Sequence, residues 1–255
     1  PNKPTVLDVK LIKSSTSLDV VEIKSSPFRK SEESPVSKRT ISATEIYRNP
    51  GGNRDISRVI QSLPGVASTV SFRNDIIIRG GAPNENRFYL DGIEIPNINH
   101  FATQGSSGGP VGMINVNFVR EVDLYSGAFP ANRGNSLSSV MEFKQIDGNP
   151  DRIAKTLTIG SSDIGATLDG PINDKTTFVL SARRSYLQLL FSAIGLPFLP
   201  TYNDFQFKTK TKLNDKNQIT VIGIGAIDDF ELNTGINDNE DDPDVVKHRV
   251  NFEDL

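Results

Sequence analysis

The sequence predicts a compact α+β unit over residues 34–147 followed, from residue 150, by antiparallel β-strands of roughly membrane-spanning length. Three observations predict it. Ile56, Val59, Ile60 and Leu63 recur at helical spacing and define one buried stripe. Asp91-Gly92 sits between the apolar runs Phe88–Leu90 and Ile93–Ile95, and both turn residues tolerate positive φ, the signature of a tight hairpin. Ile164, Ala166 and Leu168 alternate with Asp163, Gly165, Thr167 and Asp169, the two-residue period of a strand with one apolar face.

In chain order, Val6, Leu7, Val9, Leu11 and Ile12 form a strand-like run that would complete something upstream, so residues 1–17 are read as the end of a preceding domain. Leu18 to Ile23 is a second extended run. With the Ser, Pro and charge-rich stretch after it, it makes 18–33 an extended run and flexible linker. Within 34–147, Ser42 and Glu45 form a capping box that opens a short helix ending before Pro50. Asn53 is the expected cap of the next helix, which Pro64-Gly65 terminates. Strands are expected at Asp75–Arg79, around the Asp91-Gly92 hairpin, through Val122 and Leu124, and over Ser138–Gln145. A glycine-rich polar loop spans Asn97–Gly112.

Composition removes several classes of function. The 255 residues are 36% hydrophobic and 23% charged with a net charge of −3, which suits folded units and offers no basic face for nucleic acid. The chain has no cysteine and only His100 and His248, so disulfides, thiolate chemistry and a histidine-rich metal centre are not expected. No run approaches the ~20 apolar residues of a membrane helix. If the chain spans a membrane it does so with strands. The chain begins at Pro1 without a signal-like segment, which leaves the compartment open.

From residue 150 the strand candidates lie at about 153–159, 163–169, 175–186, 202–213, 218–229 and 247–255. Pro171–Asp174 and Asn214–Asn217 are tight turns, whereas 187–201 and 230–246 are long connections. That asymmetry suits an outer-membrane barrel, but a soluble β-sandwich produces similar alternation. Gly105-Ser106-Ser107-Gly108-Gly109 matches G-x-S-x-G, yet Gly109-Pro110-Val111-Gly112 cannot open the helix a nucleophile elbow needs. Gly223-Ile224-Gly225 lacks the third glycine and the helix of a dinucleotide site. The chain is therefore read as having no catalytic residues, no metal and no cofactor. The acidic residues from Asp228 to Asp244 lack calcium-loop spacing and read as a solvated loop.

The middle of the chain resembles the TonB-dependent receptor family, in the form common in the Bacteroidetes group. The resemblance rests on Leu63-Pro64-Gly65-Val66, on Ile78-Arg79-Gly80-Gly81, on Tyr89-Leu90-Asp91-Gly92-Ile93 and on Val122–Gly127 with Phe129-Pro130-Ala131. It extends to Gly170-Pro171-Ile172 and Ala182–Tyr186, in family order over about 18–190. The chain departs from it where many relatives carry "RGP", and at Arg133, a position often aromatic.

The resemblance implies an α+β plug domain at 34–147 inside an antiparallel transmembrane β-barrel in the outer membrane of a Gram-negative bacterium, with 150–255 supplying about six strands. The upstream segment resembles the end of a carboxypeptidase-regulatory-like domain. Asp19, Val20, Val21, Glu22 and Ile23 resemble the box that binds the periplasmic TonB C-terminal domain by strand addition. Arg79 is expected to pair with barrel carboxylates beyond Leu255. Asn84, Glu85, Asn86, His100, Phe101 and Gln104 are the expected ligand contacts on the plug apices. A barrel that encloses a plug has about 22 strands, so the remaining strands are expected from later residues or from a partner chain.

The implied function is energy-coupled uptake of an unidentified small ligand, with outer-membrane lipid and a surface lipoprotein or membrane-complex subunit as further partners. The rivals are a structural subunit that kept the fold without transport and a soluble β-rich adhesion or hydrolase module.

Overall fold

A computed structural model describes residues 37–233, apart from 53, 68–72, 104 and 107. The expected upstream domain end, the coupling segment, Gln104 and the strand at 247–255 lie outside the described residues.

The α+β unit begins with β1 (Lys38–Ser42) and α1 (Ala43–Arg48). Ser42 caps α1 by accepting the Glu45 N–H, and the helix stops before Pro50, as the restriction on the residue preceding a proline requires. Helix α2 (Ile56–Gln61) follows. Its cap is Asp55 and not Asn53: Asp55 Oδ1 accepts the Ser57 N–H at 2.9 Å, so the first helical residue is Ile56. Ile56, Val59, Ile60 and Leu63 all turn into the core, where burying each branched side chain is worth about 1.5–3 kcal/mol.

The chain then forms β2 (Val66–Ala67), β3 (Ile77–Ile78), β4 (Arg87–Leu90), β5 (Ile93–Ile95), β6 (Val119–Tyr125) and β7 (Val140–Gln145). Only Ile77–Ile78 of the expected Asp75–Arg79 strand pairs, with β2, because Arg79 turns away at φ 52°. Strands β4 and β5 flank Asp91 and Gly92, at φ 46° and 86°, the hairpin turn read from the sequence. The main sheet has the order β1-β6-β7-β4-β5, with β4 and β7 parallel and the other pairs antiparallel. Its apolar face carries Val122, Leu124, Met141, Phe143, Phe88 and Leu90 against the α2 stripe.

The second sheet is a meander of β8 (Ala154–Ile159), β9 (Asp163–Asn173), β10 (Thr176–Ser185), β11 (Phe198–Lys212) and β12 (Gln218–Leu232). A short helix, α3 (Leu187–Ala193), opens the long 187–201 connection. Strand β9 also runs to Asn173, which shortens the expected Pro171–Asp174 turn to Asp174-Lys175. Strand order follows chain order, with β8 and β12 at the two edges among the described residues, so the sheet is open.

The polarity of this sheet is inverted relative to a soluble protein. On the face toward the α+β unit Thr167, Ser181, Asp204, Gln206 and Lys208 are buried. On the opposite face Leu157, Ile159, Ile164, Leu180, Phe205, Val221 and Ile227 are exposed. Water would penalise such a surface, whereas hydrocarbon would stabilise it. Among the described residues no helix is long and apolar enough to cross a membrane.

Candidate functional site

The α+β unit meets the sheet along a polar seam, and β11 supplies most of it. Because strand side chains alternate, Tyr202, Asp204, Gln206 and Lys208 all point to the same, buried side. Each makes a specific contact with the α+β unit. Tyr202 stacks on His100, ring centroids 4.1 Å apart. Asp204 Oδ2 lies 3.0 Å from His100 Nε2. Gln206 Nε2 donates to the Met113 carbonyl at 2.6 Å. Lys208 Nζ lies 2.8 Å from Asp91 Oδ2 and 2.9 Å from Asp147 Oδ1.

Strands β10 and β12 complete the seam at the end carrying α3. Arg183 of β10 pairs with Asp204 at 2.8 Å and donates to the Gly112 and Met113 carbonyls at 3.0 and 2.7 Å. Its fork thus clamps the end of the Asn97–Gly112 loop while neutralising Asp204. Asp228 of β12 receives His100 Nδ1 at 2.7 Å and the Phe101 N–H at 2.8 Å. Burial opposes a charge on the His100 ring, but its hydrogen bonds to Asp204 and Asp228 outweigh that and raise its pKa above the usual histidine value. Lower on the seam, Asn115 donates to Ser181 at 2.6 Å and toward Thr167 at 3.4 Å. At the connector, burial raises the Asp147 pKa, yet hydrogen bonds from Lys210 and Lys208 outweigh it and hold the carboxyl below its usual value.

The loop reaches β11 because its glycines allow close approach. A Cβ on Gly109 would collide with the His100 carbonyl oxygen. One on Gly108 would lie 2.8 Å from the Asn74 carbonyl oxygen. Asp55 ties the loop to α2 from the other side: its Oδ2 accepts the Gly112 N–H at 2.9 Å and Asn74 Nδ2 at 2.7 Å. In the serine-glycine run that matches a hydrolase motif, Ser106 is buried and its Oγ donates to Asp75 at 2.8 Å.

The residues expected to touch ligand fall into different environments. Asn84 is exposed, and Glu85 closes its own turn by accepting the Ala82 N–H. Asn86 is buried, with its amide donating to Ile76 and Pro83 and its oxygen accepting from Ser139. His100 is buried at 1% exposure with both ring nitrogens engaged. Phe101 is half-buried, in the left-handed region at φ 55° and edge-on to Tyr202. Arg79 is exposed, beside Gly127, and its expected carboxylates lie outside the described residues.

Beside the His100 cluster lies a cavity of about 290 Å³ between α2, β8–β10 and α3, lined by Arg54, Arg58, Asn117, Ser162, Asp163 and Tyr202 among others. Among the described residues no group of three or more His, Asp or Glu side chains is arranged to hold a metal ion.

Sequence reasoning missed Arg183, Tyr202, Asp204, Gln206 and Lys208 as the contacts that hold the loop and the hairpin. A signal was present: polar residues at 204, 206 and 208 alternate with Phe205 and Phe207, the mark of a wet inner and a greasy outer face.

Residues 30–140 match the family model described as TonB-dependent Receptor Plug Domain. No curated protein matches the chain in sequence. Among solved structures, the siderophore receptor PirA from Acinetobacter baumannii superposes with a TM-score of 0.58 at 15% identity, over 84% of this chain and 35% of that one. The pyoverdine outer-membrane receptor FpvA from Pseudomonas aeruginosa PAO1 gives 0.54 at 17% identity, over 78% of this chain and 28% of that one. The ferric-catecholate import receptor Fiu from E. coli K12 gives 0.51 at 19% identity, over 76% and 28%. The chain spans only about a third of the length of these receptors or less. Residues 30–140 thus match a TonB-dependent receptor plug domain, and the antiparallel strands that follow share the fold of the corresponding part of solved outer-membrane receptors.

Proposed function

We propose that the chain is the N-terminal part of a transporter that takes a scarce ligand across the outer membrane by TonB-dependent rearrangement of its plug. The observation that carries this reading is the inverted sheet, apolar outside and polar inside, with the plug held on the polar face by reversible hydrogen bonds and ion pairs. A plug that must move is better held this way than by a dry apolar interface, since polar contacts can be exchanged for water as they break. In this reading the short connections at Asp174-Lys175 and Leu213–Asn217 face the periplasm and the α3 end faces outward. The cavity lined by Arg54 and Arg58 then opens near the ligand side. PirA, FpvA and Fiu are described as siderophore, pyoverdine and ferric-catecholate receptors, so ferric siderophores are the first ligands to try.

Energy coupling is assigned to Asp19–Ile23 acting by strand addition. Val21→Pro deletes a backbone donor in that strand and is expected to abolish binding of the TonB C-terminal domain in calorimetric titration. Unchanged affinity would remove the coupling assignment. Arg79 and the apical residues Asn84, Glu85, Phe101 and Gln104 remain part of the proposal as barrel-pairing and ligand contacts. His100 and Asn86 are assigned to holding the plug in shape, since their polar atoms are already engaged.

A further inference from the structure

The structure assigns His100 a second role: we infer that it is a protonated latch, clamped as an imidazolium between Asp204 and Asp228, whose deprotonation frees the apical loop of the plug from the barrel wall. The geometry argues it directly. Both ring nitrogens face carboxylate oxygens, at 3.0 Å for Nε2–Asp204 and 2.7 Å for Nδ1–Asp228. An ionised carboxylate only accepts, and a neutral imidazole donates from one nitrogen only, so both contacts are satisfied only by the doubly protonated ring.

The charges facing His100 come from three strands. Arg183 stands on β10, Asp204 with the stacked Tyr202 on β11, and Asp228 on β12. On the plug side the Ser57 hydroxyl of α2 donates to Asn99, the residue before His100. Arg183 already neutralises Asp204, and His100 is the counterion of Asp228. Loss of the proton would turn a balanced set of two cations and two carboxylates into one with an uncompensated carboxylate facing a lone pair. Asp228 also holds the Phe101 N–H, so its withdrawal would release backbone as well as side chain. The base of the loop stays paired through His100 N–H to Val111 O and Met113 N–H to Ile98 O, which confines the opening to the apex.

The sign follows from the raised pKa: the latch contributes fully below the ordinary histidine value of 6.5 and is lost as pH rises through the higher folded value. The inference rests on the transport reading only for its use, since a loosened apex is what ligand or TonB would act on.

The test is amide hydrogen exchange over 97–112 in the full-length protein in detergent, as a pH series corrected for intrinsic exchange. Wild-type protection is expected to fall by roughly tenfold per pH unit from the ordinary histidine value of 6.5 up to the higher folded pKa of His100, and to be flat above it. His100→Asn should show low protection without the step, and Asp228→Asn should move the step to lower pH. A flat wild-type profile, an identical step in His100→Asn, or an unshifted step in Asp228→Asn would each overturn the latch. If His100→Asn fails to assemble, the wild-type profile and the ring carbon shifts of His100 decide alone. No readout involves TonB or ligand, so a failed latch and a failed transport reading are told apart.

Discussion

Lys208 Nζ lies 2.8 Å from Asp91 Oδ2, joining the middle of a barrel strand to the turn of the plug hairpin across 117 residues of chain, the difference between the two residue numbers. Asp91 does three things at once. It adopts the left-handed turn, accepts the Gln145 N–H at 2.8 Å on β7, and pairs with Lys208. Lys208 also binds Asp147, so one buried ammonium fixes both the hairpin and the plug–barrel connector.

Lys208→Met should therefore leave Asp91 without its counterion, while Asp147 keeps Lys210 at 2.7 Å. Breaking a buried pair costs about 3–5 kcal/mol, and the cost here should fall at or below the low end because the Asp147 side chain is 40% exposed. Denaturant unfolding of the protein in detergent checks it. Asp91→Asn should cost less, since the amide keeps an oxygen for Gln145 and leaves Lys208 its second partner. Equal losses from the two would show that Lys208 does not bridge them.

Ile60 is fully buried at the centre of the α2 stripe. Ile60→Ala should cost roughly 2–5 kcal/mol, the transfer of the lost methyl groups plus the residual cavity. A loss under about 0.5 kcal/mol, usual for surface sites, would contradict the core assignment.

Gly109→Ala should disorder the apical loop, because the added Cβ collides with the backbone oxygen of His100, which cannot swing aside as a side chain could. Proteolysis within 97–112 and the amide exchange of that segment should both rise. Gly105→Ala is the contrast. A Cβ there meets nothing, so only the strain of its φ of 74° is added, about 1 kcal/mol or a little more.

Leu180 and Ser181 are neighbours on opposite faces of β10, the first 44% exposed and the second buried against Asn115. Leu180→Arg should destabilise the protein in lipid vesicles by about 2–4 kcal/mol if the site lies near the bilayer midplane. In the same vesicles Ser181→Ala should cost about 1–3 kcal/mol through the lost Asn115 partner, with no dependence on lipid thickness. If Leu180→Arg were harmless in lipid, the outer face would not be a membrane face.

Sequence alone determined the local architecture. The helical stripe, the Ser42 cap, the Asp91-Gly92 turn and the alternation in β9 and β10 each follow from neighbours within a few residues. The family resemblance carried by Leu63–Val66 and Tyr89–Ile93 was equally legible, because turn and core motifs are local too. The tertiary structure alone decided which polar residues meet. His100 finds Asp204 and Asp228 across 104 and 128 residues, and no periodicity marks a lone histidine in a glycine-rich loop as a strand's partner. The capping of α2 by Asp55 was decided the same way, since Asn and Asp have similar capping power and Asp55 gains Asn74 and Gly112 as donors from distant segments. Short-range sterics write secondary structure into sequence. Charge pairing at the seam depends on register between segments that only folding brings together.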